Sequence, residues 1–269
     1  MLKKINDEIV DKIPTKKTKK LSVLGGNCVG LYDNVFLVAR KKSGKTTVLY
    51  HLLKNCVDSE TKVLIFCSTV NKDDSYKGIR KMLDKKNVQY MCFTSIKDDN
   101  GKSILNDFIK EENIEEENEE NEKKVEKQIF CRFDEPPKIE EKKQKKKKKN
   151  QKNIAQKLIF IFDDIGDELR DRSISQLLKI NRHLKAKTIM SSQYLNDLNP
   201  ASRRQIDCWL IFKNISDEKL KNIHNVCNSC YSFEKFKKMY VKCVSKPFGF
   251  FYINSMSDDY RSCFSKKFV

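Results

Sequence analysis

Residues 39–46 read Ala-Arg-Lys-Lys-Ser-Gly-Lys-Thr, the types and order that can hold a phosphate chain. Gly44 lets successive backbone amides close around an anion. Lys45 reaches the β- and γ-oxygens, and the Thr46 hydroxyl supplies an oxygen to Mg²⁺. Ser43 and Thr47 complete the cradle, and the helix that follows adds the positive end of its dipole. The usual pattern is GxxxxGK[ST], so Ala39 stands where the first glycine is expected. Alanine is tolerated there if its φ is negative, because its one methyl is small. A lysine-rich surface turn ahead of a helix is the plainer alternative. An apolar strand before the motif and a helix after it favour the phosphate loop, and with it ATP and Mg²⁺.

A second cluster closes the same chemistry. The apolar run 158–162 ends in Asp163 and Asp164. Asp163 is placed to hold Mg²⁺ through water, and Asp164 to orient and deprotonate an attacking water. Two aspartates capping the next helix is the competing reading, and Asp167 and Glu168 are alternates for the base. Further on, the run 188–192 ends in Gln193, where a side-chain amide can bond the γ-phosphate or its water; a loop-capping amide is the plainer reading.

Positioning these groups takes a doubly covered parallel sheet. Continuous apolar strands are expected at 34–39, 62–67, 89–93, 157–162, 187–191, 208–212 and 248–253. Amphipathic helices are expected at 46–55, 75–85, 173–184, 217–226 and 233–241. An acid beside the Mg²⁺ carboxylate, with two strands between it and the phosphate loop, fits the additional-strand class of P-loop NTPases: α/β, with a mostly parallel central sheet flanked by helices. Residues 1–20 read as a basic flexible arm, 21–96 and 157–269 as the ATPase domain. Residues 97–156 read as a disordered charged insertion, too poor in apolar positions to offset its ordering entropy.

Charge points to the partner. The chain of 269 residues carries a net charge of +18, which suits a polyanion, nucleic acid before an acidic membrane surface. The insertion contributes none of it, since its 16 Lys+Arg match its 16 Asp+Glu. The excess therefore sits on the arm and the folded domain. No signal peptide and no apolar run of membrane-spanning length is present. The ten cysteines are scattered, which suits free thiols in a reducing compartment. Cys227 and Cys230 form one CxxC beside His224, without the second pair that a four-cysteine zinc site needs.

Several segments together carry a family resemblance. They are residues 181–184 with Arg182 and His183, the strand 188–193 ending in Gln193, the segment 199–212 with Arg203, Arg204 and Asp207, and the aromatic run 248–253. In this order they resemble the FtsK–HerA superfamily, most of all the DNA-packaging ATPases of large eukaryotic DNA viruses and virophages. The resemblance covers about residues 31–96 and 157–253. It implies an ATP-hydrolysing translocase acting on double-stranded DNA as a homo-oligomeric ring, usually a hexamer, with capsid vertex proteins as partners and no membrane. The setting it implies is the host cytoplasm, a viral factory or the virion. It also implies an arginine reaching a neighbouring subunit's γ-phosphate. Arg203 fits that place best and Arg204 second; a solvated loop charge is the simpler reading of both. Ala39 and the Asp-Asp pair depart from the family pattern and leave room for slower hydrolysis. Competing readings are a nucleotide-binding scaffold or switch that has lost hydrolysis, and a P-loop kinase.

Overall fold

The computed structural model describes residues 25–112 and 156–268. The basic arm and residues 113–155 lie outside them. Strand β1 (Asn34–Val38) leads into helix α1 (Lys45–Cys56). Then come β2 (Lys62–Cys67), α2 (Asp74–Lys85), β3 (Gln89–Phe93) and a helical stretch over 104–112, α3. The chain resumes with β4 (Leu158–Asp163), α4 (Arg172–Ile180), β5 (Ala186–Ser192), α5 (Pro200–Arg203) and β6 (Cys208–Phe212). It ends with α6 (Asp217–Val226), α7 (Phe233–Val244), β7 (Phe250–Asn254), β8 (Asp259–Ser262) and β9 (Lys266–Lys267).

All nine strands form one sheet in the order β3-β2-β4-β5-β1-β6-β7-β8-β9. The first six are mutually parallel and the last three antiparallel. β5 lies between β1 and β4, the extra strand that the additional-strand class requires. The central strands β1, β2, β4, β5 and β6 are buried along almost their whole length because both faces are covered. Val35 and Leu37 face α1 and α2 with Leu49, Leu52, Tyr76 and Ile79, while Phe36 and Val38 face α4, α6 and α7. Caps fix the helix starts: Asp73 accepts from Ser75 N at 2.8 Å, Asp171 from Ser173 N at 2.9 Å, and Asn199 from Ser202 N at 2.8 Å.

Three expectations change. Residues 97–112, assigned to the insertion, are part of the fold. Lys97 bridges Ser103, and α3 buries Leu105 and Ile109 beside Ile96. Those two leucine/isoleucine positions are one helical turn apart among charged neighbours, a pattern too sparse to stand out. Helix α4 stops at Ile180, short of the expected 184. There the Asn181 amide donates to Tyr32 O at 2.6 Å, and Lys185 turns left-handed at φ 48° to open β5. The last expected strand, 248–253, starts later, at Phe250, because Phe248 is itself left-handed at φ 58°. The short strands β8 and β9 were not anticipated.

Candidate active site

The sheet's geometry brings the loop after β1 and the ends of β4 and β5 together. Asp163 pairs with Ser191 across the β4–β5 ladder, and Val38 with Ser192 across β1–β5. The phosphate loop turns on two left-handed residues, Lys42 at φ 60° and Gly44 at φ 90°. Ala39 needs no such conformation. It is buried, and its N–H donates to Ser192 O at 2.9 Å. Ser43 Oγ is buried with no hydrogen-bond partner, a donor set within the loop where an anion would sit. Thr46 and Thr47 open α1 behind it, with Thr47 exposed.

Lys45 joins the two clusters. Its ammonium lies 2.9 Å from Asp163 Oδ1 and also bonds Asp164 Oδ1. Burial disfavours its charge, but the field of Asp163 and the bonds to both carboxylates outweigh this and raise its pKa above the ordinary 10.5. Lys45 is therefore a full cation across the neutral range. Asp163 is buried and anchored: Tyr76 donates to Oδ2 at 2.6 Å, and Ser191 donates to Oδ1. Burial and then the Asp163 charge push the Tyr76 hydroxyl far up, so it stays a donor. Asp164 is more exposed and sits at φ 54°, a conformation that costs free energy outside glycine. Ser68 Oγ holds its carbonyl at 2.9 Å. Gln193 shares a cavity of about 220 Å³ with Asp164, Asp167, Ser191 and Tyr194.

The other candidates are placed as follows. Glu168 is committed to structure, accepting from Ile96 N at 2.7 Å, while Asp167 lines the cavity. Arg203 bonds its own loop: Nε donates to Leu198 O at 2.8 Å and a terminal nitrogen to Asn196 Oδ1 at 3.0 Å. Burial, then the charge of Arg170, lower its pKa. Arg204 lines a recess with Arg182 and Asp207 near the start of β1, at the other end of the sheet from the phosphate loop. Arg182 pairs with Asp207 there, and so does not face the phosphate edge. The CxxC is divided among separate partners, with Cys227 Sγ on His224 O at 3.4 Å and Cys230 Sγ on Tyr260 OH at 3.9 Å. No group of residues able to hold a metal through His, Cys, Asp and Glu occurs among the described residues, where nine cysteines are free thiols. Tyr76 was missed in the sequence; its place in the first turn of α2, the helix after β2, was the available signal.

Fold and site together define a P-loop NTPase fold of the additional-strand class. Residues 134–245 match the Poxvirus A32 protein family, in line with the resemblance to viral packaging ATPases of FtsK–HerA type read from the motifs. That stretch holds Asp163, Asp164, Gln193 and Arg203 but not the phosphate loop. Uncharacterized protein 075L of Invertebrate iridescent virus 6 is 30% identical over 105 residues, 38% of this chain. The chain spans about two fifths of that relative, 40% of its length. Among solved structures, the genome packaging NTPase B204 of Sulfolobus turreted icosahedral virus 2, in complex with AMP, superposes with a TM-score of 0.53 at 17% identity. The match covers 86% of this chain and 96% of that one. B204 of Sulfolobus Turreted Icosahedral Virus, a DNA-packaging ATPase, gives 0.50 at 17%, covering 87% and 97%. At these identities the structures establish the fold.

Proposed function

We propose that this chain hydrolyses ATP to drive double-stranded DNA into a viral capsid, working as a homo-oligomeric ring. The observation that carries the reading is the meeting of Lys45 with Asp163 and Asp164 on the loop-and-strand edge of an additional-strand sheet. The B204 structures in complex with AMP and AMPPCP support a nucleotide here.

Thr46 and Asp163 are hard oxygen donors, the kind Mg²⁺ accepts, and bound Mg²⁺ would neutralise charge on the phosphates. Lys45 would exchange its carboxylate partners for phosphate oxygens. Asp163, fixed by Tyr76 and Ser191, keeps its carboxylate aimed at the loop. Asp164 would then be free to take the proton of a water that Gln193 helps to place. Arg203 supplies its charge across a subunit boundary.

Turnover measured with and without duplex DNA tests the whole reading. DNA-stimulated hydrolysis is expected. Nucleotide binding without turnover would instead make the chain a switch or scaffold. DNA affinity should be sequence-independent and fall steeply with salt, with a log–log slope of about −0.9 per phosphate neutralised. Arg203→Ala should bind ATP like the parent yet hydrolyse it about 10³–10⁵-fold more slowly. Mixing it with Lys45→Ala protein should restore some activity, because mixed rings contain interfaces with both groups intact. Co-assembly without recovery rules out a role in trans.

A further inference from the structure

Beside the phosphate loop lies an apolar recess of about 420 Å³, lined by Gly44, Thr47, Val48, His51, Phe248, Phe250 and Phe264. It shares Gly44 and Thr47 with the loop. A nucleotide whose terminal phosphates lie on Lys45 has this recess within reach of its other end, beside the first turn of α1. The three lining residues of that helix, Thr47, Val48 and His51, fall within one turn and face the same way.

The far wall is built of aromatic rings. Phe264 stacks on His51 at 5.7 Å between centroids and 15° between planes, and meets Phe250 edge-on at 5.0 Å. Phe248 stands apart. It is 72% exposed, and it is held at φ 58°, a conformation unfavourable for a bulky side chain. A large apolar ring presented to solvent from a strained backbone has no use in packing. Its edge lies against the open side of Gly44, where an added Cβ would come within 3.0 Å of Phe248 Cδ1. The glycine thus lets the ring approach the loop. Polar groups are few: the Thr47 hydroxyl, and a His51 ring whose Nε2 faces Cys28 Sγ at 3.7 Å.

From this geometry we infer that the recess takes the nucleobase, a purine stacked on Phe248 and enclosed by Val48, His51 and Phe264. The walls grip the flat faces and leave the hydrogen-bonding edge unread, so adenine and guanine are accepted alike. This rests on the nucleotide reading of the phosphate loop. It adds what that reading does not contain, namely which residues hold the base and that they do not choose between purines.

Calorimetric titration of the full chain with Mg²⁺-ATP, Mg²⁺-GTP and Mg²⁺-tripolyphosphate separates the two ideas. The parent should bind ATP and GTP within about threefold of each other. Phe248→Ala should lose about tenfold in affinity for both, the scale of one base–aromatic stack, while tripolyphosphate binding and cooperative unfolding stay as in the parent. Phe248→Trp should retain ATP affinity, and its fluorescence should respond to ATP but not to tripolyphosphate. Equal ATP affinity in parent and Phe248→Ala overturns the inference, as does a tenfold preference for one purine. A parent that binds none of the three ligands overturns the nucleotide reading itself, and the base site falls with it.

Discussion

The two ends of β1 each carry a cation paired with aspartate, and the pairs do opposite work. At the C-terminal end, one cation, Lys45, is shared between two carboxylates, Asp163 and Asp164, and Tyr76 and Ser191 hold only the first of them. At the N-terminal end, about 13 Å away along the strand, Asp207 has a donor for each oxygen: Asn34 N at 2.8 Å and Arg182 at 3.2 Å. Burial raises the Asp207 pKa despite both donors. Asp207 N also donates to Asn34 O at 2.9 Å, so the exchange ties the start of β6 to the start of β1. The first end holds a left-handed aspartate and an unpartnered buried hydroxyl; the second is satisfied and unstrained at its carboxylate. Ion pairs of the same kind are thus told apart by what surrounds them. Strain and incomplete pairing mark a place prepared for a ligand, and closed pairing marks a joint.

Substitutions at both ends can break this contrast. Lys45→Ala should have the largest effect, abolishing turnover while cooperative unfolding persists. Turnover near the parental rate would remove the C-terminal end from the chemistry. Asp164→Asn comes next, with about 10²–10⁴-fold slower hydrolysis as for loss of a general base, and nucleotide affinity within about threefold of the parent. Lost binding would mean that Asp164 serves the metal and Asp163 the water. At the other end, Asp207→Ala should leave turnover per folded molecule intact and cost about 1–3 kcal/mol of stability, by orphaning the Asn34 N–H. Denaturant unfolding measures it, and a large fall in turnover would contradict a purely structural joint. Arg182→Ala should do least, about 0–1 kcal/mol, because its side chain is 62% exposed and the pair is largely solvent-screened.

The sequence made the centre of the sheet legible and its supports illegible, for physical reasons. β2 and β6 run over the expected residues because a strand buried on both faces leaves a continuous apolar run between polar breaks. The phosphate loop and acidic strand end were legible because anion and metal chemistry restrict residue type and order. Tyr76 and Ser191 were not, since a hydroxyl that anchors Asp163 from another element leaves no local pattern. Phe248 looked like the first residue of a strand, and only its left-handed backbone sets it apart. α3 was hidden for the opposite reason: two buried positions among many charges look like the solvated stretch beside them.

Lys62 has a topological role beyond its place at the start of β2. Its side chain pairs with Glu112 at 2.6 Å, where α3 is last described, and its backbone N–H bonds Lys157 O at 2.8 Å, just before β4. The two described segments of the chain therefore meet at one residue, and that residue opens its strand at the end of the sheet away from the phosphate loop. A detour whose two ends are already clasped pulls on nothing else. Its length enters stability only logarithmically, about 0.6 kcal/mol per doubling. Joining residue 112 to 156 through a flexible linker should therefore leave cooperative unfolding and turnover as in the parent; loss of either would show that residues 113–155 support the site. Shortening that begins at 97 instead would cut into the buried Leu105 and Ile109 and unfasten the clasp itself.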